Sequence, residues 1–199
     1  MEMKISVSNG NIKMGEIKSV SLPPVITCAE NCGCAKKCYA KRMCRFKNVR
    51  ESYFRNLEIL NTDSKEYWRQ VDESMCSSRF FRMHVSGDIP NYQYLLDMVE
   101  IVGNNPHCEV LVFTKRFNFV NDYIGNGGSI PSNLHILFSD WEGLAMDNPN
   151  NLPVAHVIFK GQEPQDNWNI CGGNCLECAK AKANCWTLKN GEHVAFHEH

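Results

Sequence analysis

Four short apolar runs, separated by stretches with other spacing, constrain this chain more than any other feature. FFRMHVS (80–86), EVLVFTK (109–115), LHILFSD (134–140) and LPVAHVIFK (152–160) have the length and composition of strands. Between the first two, Tyr94, Leu95, Met98, Val99 and Val102 recur at helical spacing ahead of Pro106. Between the second and third, FNFVNDYIG is a short helix closed by Gly125. Upstream, Phe46, Val49, Tyr53, Leu57 and Leu60 make an apolar stripe on a helix spanning about 43–61. Asp63 or Ser64 then caps a second helix carrying Tyr67, Trp68, Val71 and Met75. VSLPPVITC (20–28) is a further short strand, which its two prolines confine to an edge or a lead-in position. Strands alternating with helices build a parallel sheet with crossover connections. The expected fold is therefore α/β, a partial (β/α) barrel or an open parallel sheet of about five strands.

With 199 residues the chain can bury a substantial core as one domain. Residues 1–162 form its α/β body, and 163–199 form a cysteine-rich metal-binding extension packed on the same domain. No apolar run approaches the roughly 20 residues of a membrane helix. The opening MEMKISVSNGNIKMG lacks the apolar centre of a signal peptide, so a cytoplasmic protein with no membrane partner is expected. A net charge of −1 argues against a general polyanion binder.

In a reducing compartment, clustered cysteines point to metal or catalysis rather than to disulfides. Of eleven cysteines, nine fall into two groups. CAENCGCAKKCYAKRMC holds Cys28, Cys32, Cys34, Cys38 and Cys44, and CGGNCLECAKAKANC holds Cys171, Cys175, Cys178 and Cys185. Four thiolates at the second spacing close a tetrahedral zinc site or ligate an iron–sulfur cluster, and spacing does not choose between them. The solitary Cys76 and Cys108 are expected to be small core residues.

Chemistry in a parallel α/β sheet collects beyond the carboxyl ends of the strands. The first cysteine group, SGDIP (86–90), TKR (114–116) and SDW (139–141) each follow a strand, so a parallel sheet brings them to one rim. Each also has a plainer reading. Gly87 and Pro90 are ordinary turn residues, Lys115 and Arg116 can be a solvated helix start, and Asp88 can cap the helix after Pro90. His84 has the setting of a satisfied core histidine. At the carboxyl terminus, GEHVAFHEH alternates as a half-buried terminal strand does, which outweighs a metal role for His193, His197 and His199.

CAKKCYAK, FRMHVSGD, VFTKR and the closing CLEC…CW resemble the phage gene-product-88 family, itself similar to radical-SAM-like phage proteins. The likeness spans about Leu22 to Trp186. It implies a [4Fe–4S] cluster on three cysteines, Cys28, Cys34 and Cys38, with one iron left open for S-adenosylmethionine. Their spacing, C-x5-C-x3-C, departs from the commonest radical-SAM pattern CxxxCxxC. Cys28 and Cys32 begin that pattern, but Ala35 does not complete it, so Cys32 and Cys44 are spare ligands or bystanders. Ser86, Gly87 and Asp88 stand where such enzymes carry a segment that receives the methionine amino group, and Thr114 and Lys115 face the same pocket. The resemblance also implies a partner reductase, an unknown substrate, and the host cytoplasm as the setting for a phage-encoded chain.

A rival reading comes from charge. Lys36, Lys37, Lys41, Arg42, Arg45, Lys47, Arg50 and Arg55 face a single acid, Glu51, with Tyr39, Phe46, Tyr53 and Phe54 interleaved. Basic residues among aromatics suit a nucleotide or nucleic acid, so a metal-stapled nucleic-acid-binding protein without catalysis is the alternative.

Overall fold

In the computed structural model, residues 3–30 and 33–198 are described; Cys32 and His199 fall outside them. Eight strands form one sheet: β1 (Val7–Ser8), β2 (Lys18–Val20), β3 (Phe80–Met83), β4 (Glu109–Thr114), β5 (Leu134–Ser139), β6 (Val154–Ile158), β7 (Trp168–Ile170) and β8 (His193–His197). Their order is β1-β2-β3-β4-β5-β6-β8-β7, parallel except where β1 meets β2. Helices α1 (Tyr39–Met43), α2 (Lys47–Thr62), α3 (Ser64–Cys76), α4 (Tyr92–Asn104), α5 (Phe117–Gly125) and α6 (Cys175–Ala181) complete the fold. Among the described residues, no helix is long and apolar enough to cross a membrane.

Alternation along the strands produces the two core layers, because successive side chains point to opposite faces. Phe81, Met83, Val110, Val112, Ile136 and Phe138 face Tyr67, Trp68, Tyr94 and Leu95 of α3 and α4. Each such side chain, fully buried, contributes roughly 1.5–3 kcal/mol. Leu111, Leu137, Ala155 and Val194 point the other way and are covered by Met14, Ile17, Ala179, Cys185 and Trp186. Register pairs Phe81 with Val110 and Val112 with Ile136, so each layer is continuous across the sheet.

Strands β2 to β6 advance in one direction across the sheet, as in a barrel, but no barrel closes. β8 pairs with β6 and β7 takes the edge, leaving β1 and β7 as the two ends. The cysteine-rich extension thus supplies two strands of the same sheet, and its α6 covers the face that a closed barrel would turn inward. Close approach fixes α6 there. Cys175 N donates to Lys13 O at 2.9 Å, and a Cβ on Gly15, whose φ is +66°, would stand 2.7 Å from Leu176 Cβ.

Asp63 is the cap of α3, accepting from Glu66 N at 3.0 Å, and β8 is the terminal strand its alternation predicts. The strand expected over 20–28 lies earlier, at Lys18–Val20. From Pro23 the chain turns, since proline has no N–H for the ladder. Cys108 is fully buried, whereas Cys76 is exposed at the end of α3, a correction to its expected core position.

Candidate functional site

The carboxyl ends of β3, β4 and β5 and the loop after β2 meet at one rim. Val25 has a φ of 71°, an unfavourable region for a β-branched residue. This conformation turns its N–H onto Cys28 Sγ at 3.3 Å. Cys28 lies in electrostatic reach of Cys38, Asp88 and Lys115, and burial pushes its thiol up to about 11. Cys38 caps α1, its Sγ accepting from Lys41 N at 3.4 Å. Cys44, at the other end of α1, also has Cys38 as an electrostatic neighbour; burial raises its thiol, and Arg50 opposes that rise. Cys34 sits on the 3-10 turn Gly33–Lys36, where a Cβ on Gly33 would stand 3.7 Å from Trp141 Nε1 beyond β5.

Asp88 is the bolt of this rim. Its Oδ1 accepts from Thr114 Oγ1 at 2.6 Å and from Ile89 N at 2.8 Å, while Oδ2 accepts from Lys115 N at 2.8 Å. The carboxylate is buried and has three partners within the protein, so it joins the end of β3 to the end of β4. The helix that follows is capped by Asn91, whose side chain accepts from Tyr94 N, not by Asp88. Gly87 is required for close approach: its φ is +82°, and a Cβ would lie 2.6 Å from Thr27 Oγ1 and 2.8 Å from Leu22 O. Ser86 is buried, and its carbonyl accepts from Leu22 N at 3.0 Å. Lys115 extends across the rim to Ser139 Oγ at 2.7 Å, with its ammonium 5.9 Å from the Trp141 ring centroid. Arg116, expected only as a helix start, braces the rim by donating to Cys28 O at 2.8 Å and Ile89 O at 3.1 Å.

The second cysteine group lies on the other face of the sheet. Cys171 follows β7, Cys175 and Cys178 project from α6, and Cys185 is buried in a 3-10 turn behind it. Cys185 has Cys171, Cys175, Cys178 and Arg82 as electrostatic neighbours, and burial pushes its thiol up to about 12. Three of these sulfurs accept N–H bonds: Cys171 from Gly173 N (3.4 Å), Cys175 from Arg82 Nη1 (3.6 Å) and Cys178 from Asn184 Nδ2 (3.4 Å). Arg82 rises from β3 against the Phe113 ring, 4.8 Å from its centroid, and among the described residues its buried Nε has no hydrogen-bond partner.

Tyr39 joins the two groups. Its hydroxyl donates to Val85 O, and Arg82, Cys38 and Cys175 are its electrostatic neighbours. The ring is partly exposed while the hydroxyl is tucked inward, and burial raises its pKa.

Two further clusters bring together residues that the sequence did not link. His84, fully enclosed, has a φ of 60° and bonds Tyr94 Oη at 2.8 Å from Nε2; among the described residues its Nδ1 has no partner, so the core histidine expected to be satisfied is only half so. On the sheet near β7, His156 Nδ1 lies 3.0 Å from Asp140 Oδ2 and its Nε2 3.0 Å from His193 Nδ1, with Trp168 stacked on the ring at 4.1 Å. Asp140 directly follows β5, while His156, Trp168 and His193 lie on β6, β7 and β8, and no motif links them.

Among the described residues, no three His, Cys, Asp or Glu side chains are drawn together as a metal-binding group. The donors nevertheless suit a thiophilic metal: sulfurs on one rim and one sheet face receive N–H bonds, and Arg82, whose buried Nε–H is unmatched among the described residues, stands beside Cys175 and Cys185.

An open, mostly parallel α/β sheet with cysteines gathered beyond its strand ends is the class that fold and site define. The chain belongs to the phage gene product 88 family, whose family model matches residues 3–195. No curated protein and no solved structure matches it.

Proposed function

We propose that the chain is an iron–sulfur protein resembling a minimal radical-SAM enzyme, with Cys28, Cys34 and Cys38 as the ligands of a rim cluster. When bound, a [4Fe–4S] cluster with one open iron supplies reductive cleavage of S-adenosylmethionine for radical chemistry on a substrate. The observation that carries this reading is Cys28. A strained Val25 aims its N–H at this sulfur, while Cys38, Asp88 and Lys115 stand around it at the carboxyl ends of parallel strands. Unfavourable backbone conformations persist where the surrounding structure holds them, and they concentrate at functional sites.

The protein's own groups divide the work. Asp88 and Thr114 hold the ends of β3 and β4 in register, so they position the rim rather than contact a ligand. Lys115 offers a cation beside the thiols and would offset the charge of a thiolate cluster or meet a carboxylate. Gly87 admits backbone approach where a side chain would collide. Tyr39 and Arg82 lie between this rim and the second thiol group.

The test is anaerobic purification with iron, sulfide and zinc measured per chain, and visible spectra before and after dithionite and S-adenosylmethionine. About four irons and four sulfides, lost on replacing Cys28 and Cys38 with serine, together with a spectral response to the sulfonium ligand, are expected. Iron that ignores that ligand removes the radical reading. Zinc alone removes the iron–sulfur reading as well.

One observation favours a second reading. Phe46 is 58 % exposed and Phe54 44 % exposed at the basic segment, as stacking platforms for a nucleotide or nucleic acid would be. Some of the basic residues there already have partners, with Lys37 on Glu198 and Arg55 on Ser6 Oγ. Binding of single-stranded oligonucleotide that weakens steeply with salt would support it, and salt-independent or absent binding would exclude it.

A further inference from the structure

The geometry points to a closed metal–tetrathiolate centre at Cys171, Cys175, Cys178 and Cys185, with Arg82 as its dedicated counter-charge. This deepens the metal-thiolate reading at the second cysteine group and stands independently of the rim cluster. Cys171, Cys175 and Cys178 all lie within electrostatic reach of Cys185 on one sheet face, delivered there by three local devices. Cys171 is held by the pairing that continues β7 onto β8, its N donating to Ala195 O at 2.9 Å. Cys175 and Cys178 share one face of α6, whose start is capped by Asn174 Oδ1 accepting from Leu176 N and Glu177 N. Cys185 returns after Lys182 and Asn184, both in left-handed conformations with φ of 50° and 51°. Such a reversal, at two residues with side chains, turns the chain sharply enough to bring the fourth sulfur back.

The donors around the sulfurs distinguish a built site from a chance cluster. A backbone N–H, an amide and a guanidinium each direct a hydrogen to a different sulfur. Hydrogen bonds of this kind stabilise thiolate more than thiol, since the acceptor gains charge. Arg82 goes further. Neutral thiols do not compensate a guanidinium set into a sheet face with one N–H unmatched, and burying such a cation without a counter-charge is costly. A divalent ion bound by four thiolates carries two net negative charges, and a [4Fe–4S] cluster on four thiolates is also anionic. Both belong to the same ligand chemistry, an anionic metal centre with no open position, in contrast to the three-cysteine rim.

The experiment uses the full chain with Cys28, Cys34 and Cys38 replaced by serine, which removes the rim site. Cobalt(II) titration, followed by competition with zinc and with a chelator, reports the remaining site. Strong thiolate-to-cobalt charge transfer with tetrahedral d–d bands at one ion per chain is expected, and its loss in Cys178→Ser. Iron and sulfide in place of zinc in the anaerobically purified variant would identify the cluster form of the same centre. Arg82→Met is expected to weaken metal affinity about tenfold or more, and Arg82→Lys to restore much of it. A purely structural role for Arg82 would lower stability without that charge-specific recovery. The inference is overturned by absence of thiolate charge transfer in the rim-free chain, or by an Arg82→Met protein that folds and binds metal as tightly as its parent.

Discussion

Thr114 Oγ1 donates to Asp88 Oδ1 at 2.6 Å while accepting from Arg116 N at 2.9 Å, so one hydroxyl ties the end of β3 to the end of β4 and to the start of α5. Thr114→Val keeps the shape and removes both bonds, leaving Arg116 N unpaired. A loss of about 1–3 kcal/mol in urea unfolding is expected. Asp88→Asn turns an amide donor toward either Thr114 or Lys115 N and should cost a similar amount. A variant of either kind with an unchanged midpoint would contradict the role of this bolt.

His84 makes stability depend on acid. Burial drives its imidazole from the usual 6.5 down to about 3. Above pH 6.5 the ring is neutral in both states and its full contribution is present. Between 6.5 and about 3 the unfolded chain takes up a proton that the folded chain refuses, so stability falls with falling pH by at most about 1.4 kcal/mol per unit. Unfolding midpoints of His84→Asn, a residue that tolerates the same positive φ, should lose that part of the acid slope.

Val25 carries strain at a half-exposed position. Replacement by Asn, which adopts the left-handed region readily, should raise stability by about 1 kcal/mol while keeping the N–H directed at Cys28. Thermal unfolding checks the gain. A destabilised Val25→Asn protein would mean that the valine side chain packs more than its 46 % exposure suggests.

Arg116 ties the Cys28 loop to the segment after β3, donating to Cys28 O and to Ile89 O. In Arg116→Met the loop loses this tie, a bond from a charged donor worth about 1.5–3 kcal/mol. Cys28 should then react faster with a disulfide reagent than in the parent, with cysteines on the opposite sheet face unaffected as internal controls. Equal rates would show that other contacts hold the loop.

Periodicity and local composition determined much of this protein. The apolar runs became β3 to β6, the stripe with Asp63 became α2 and α3, and strand ends bearing Ser86–Asp88 and Thr114–Lys115 came to one rim because parallel strands share a direction. These are short-range properties, set by side-chain spacing along one segment. Strand order and closure are not, since they depend on which edges find partners. The two-residue β1 and three-residue β7 carry too little pattern to announce themselves, and β8 paired with β6 instead of closing a barrel. Only tertiary packing put Arg82 beside Cys175, ninety-three residues away, and His156 between Asp140 and His193. A buried charge or a hydrogen-bonded chain of side chains takes its meaning from what surrounds it, and those surroundings come from opposite ends of the sequence.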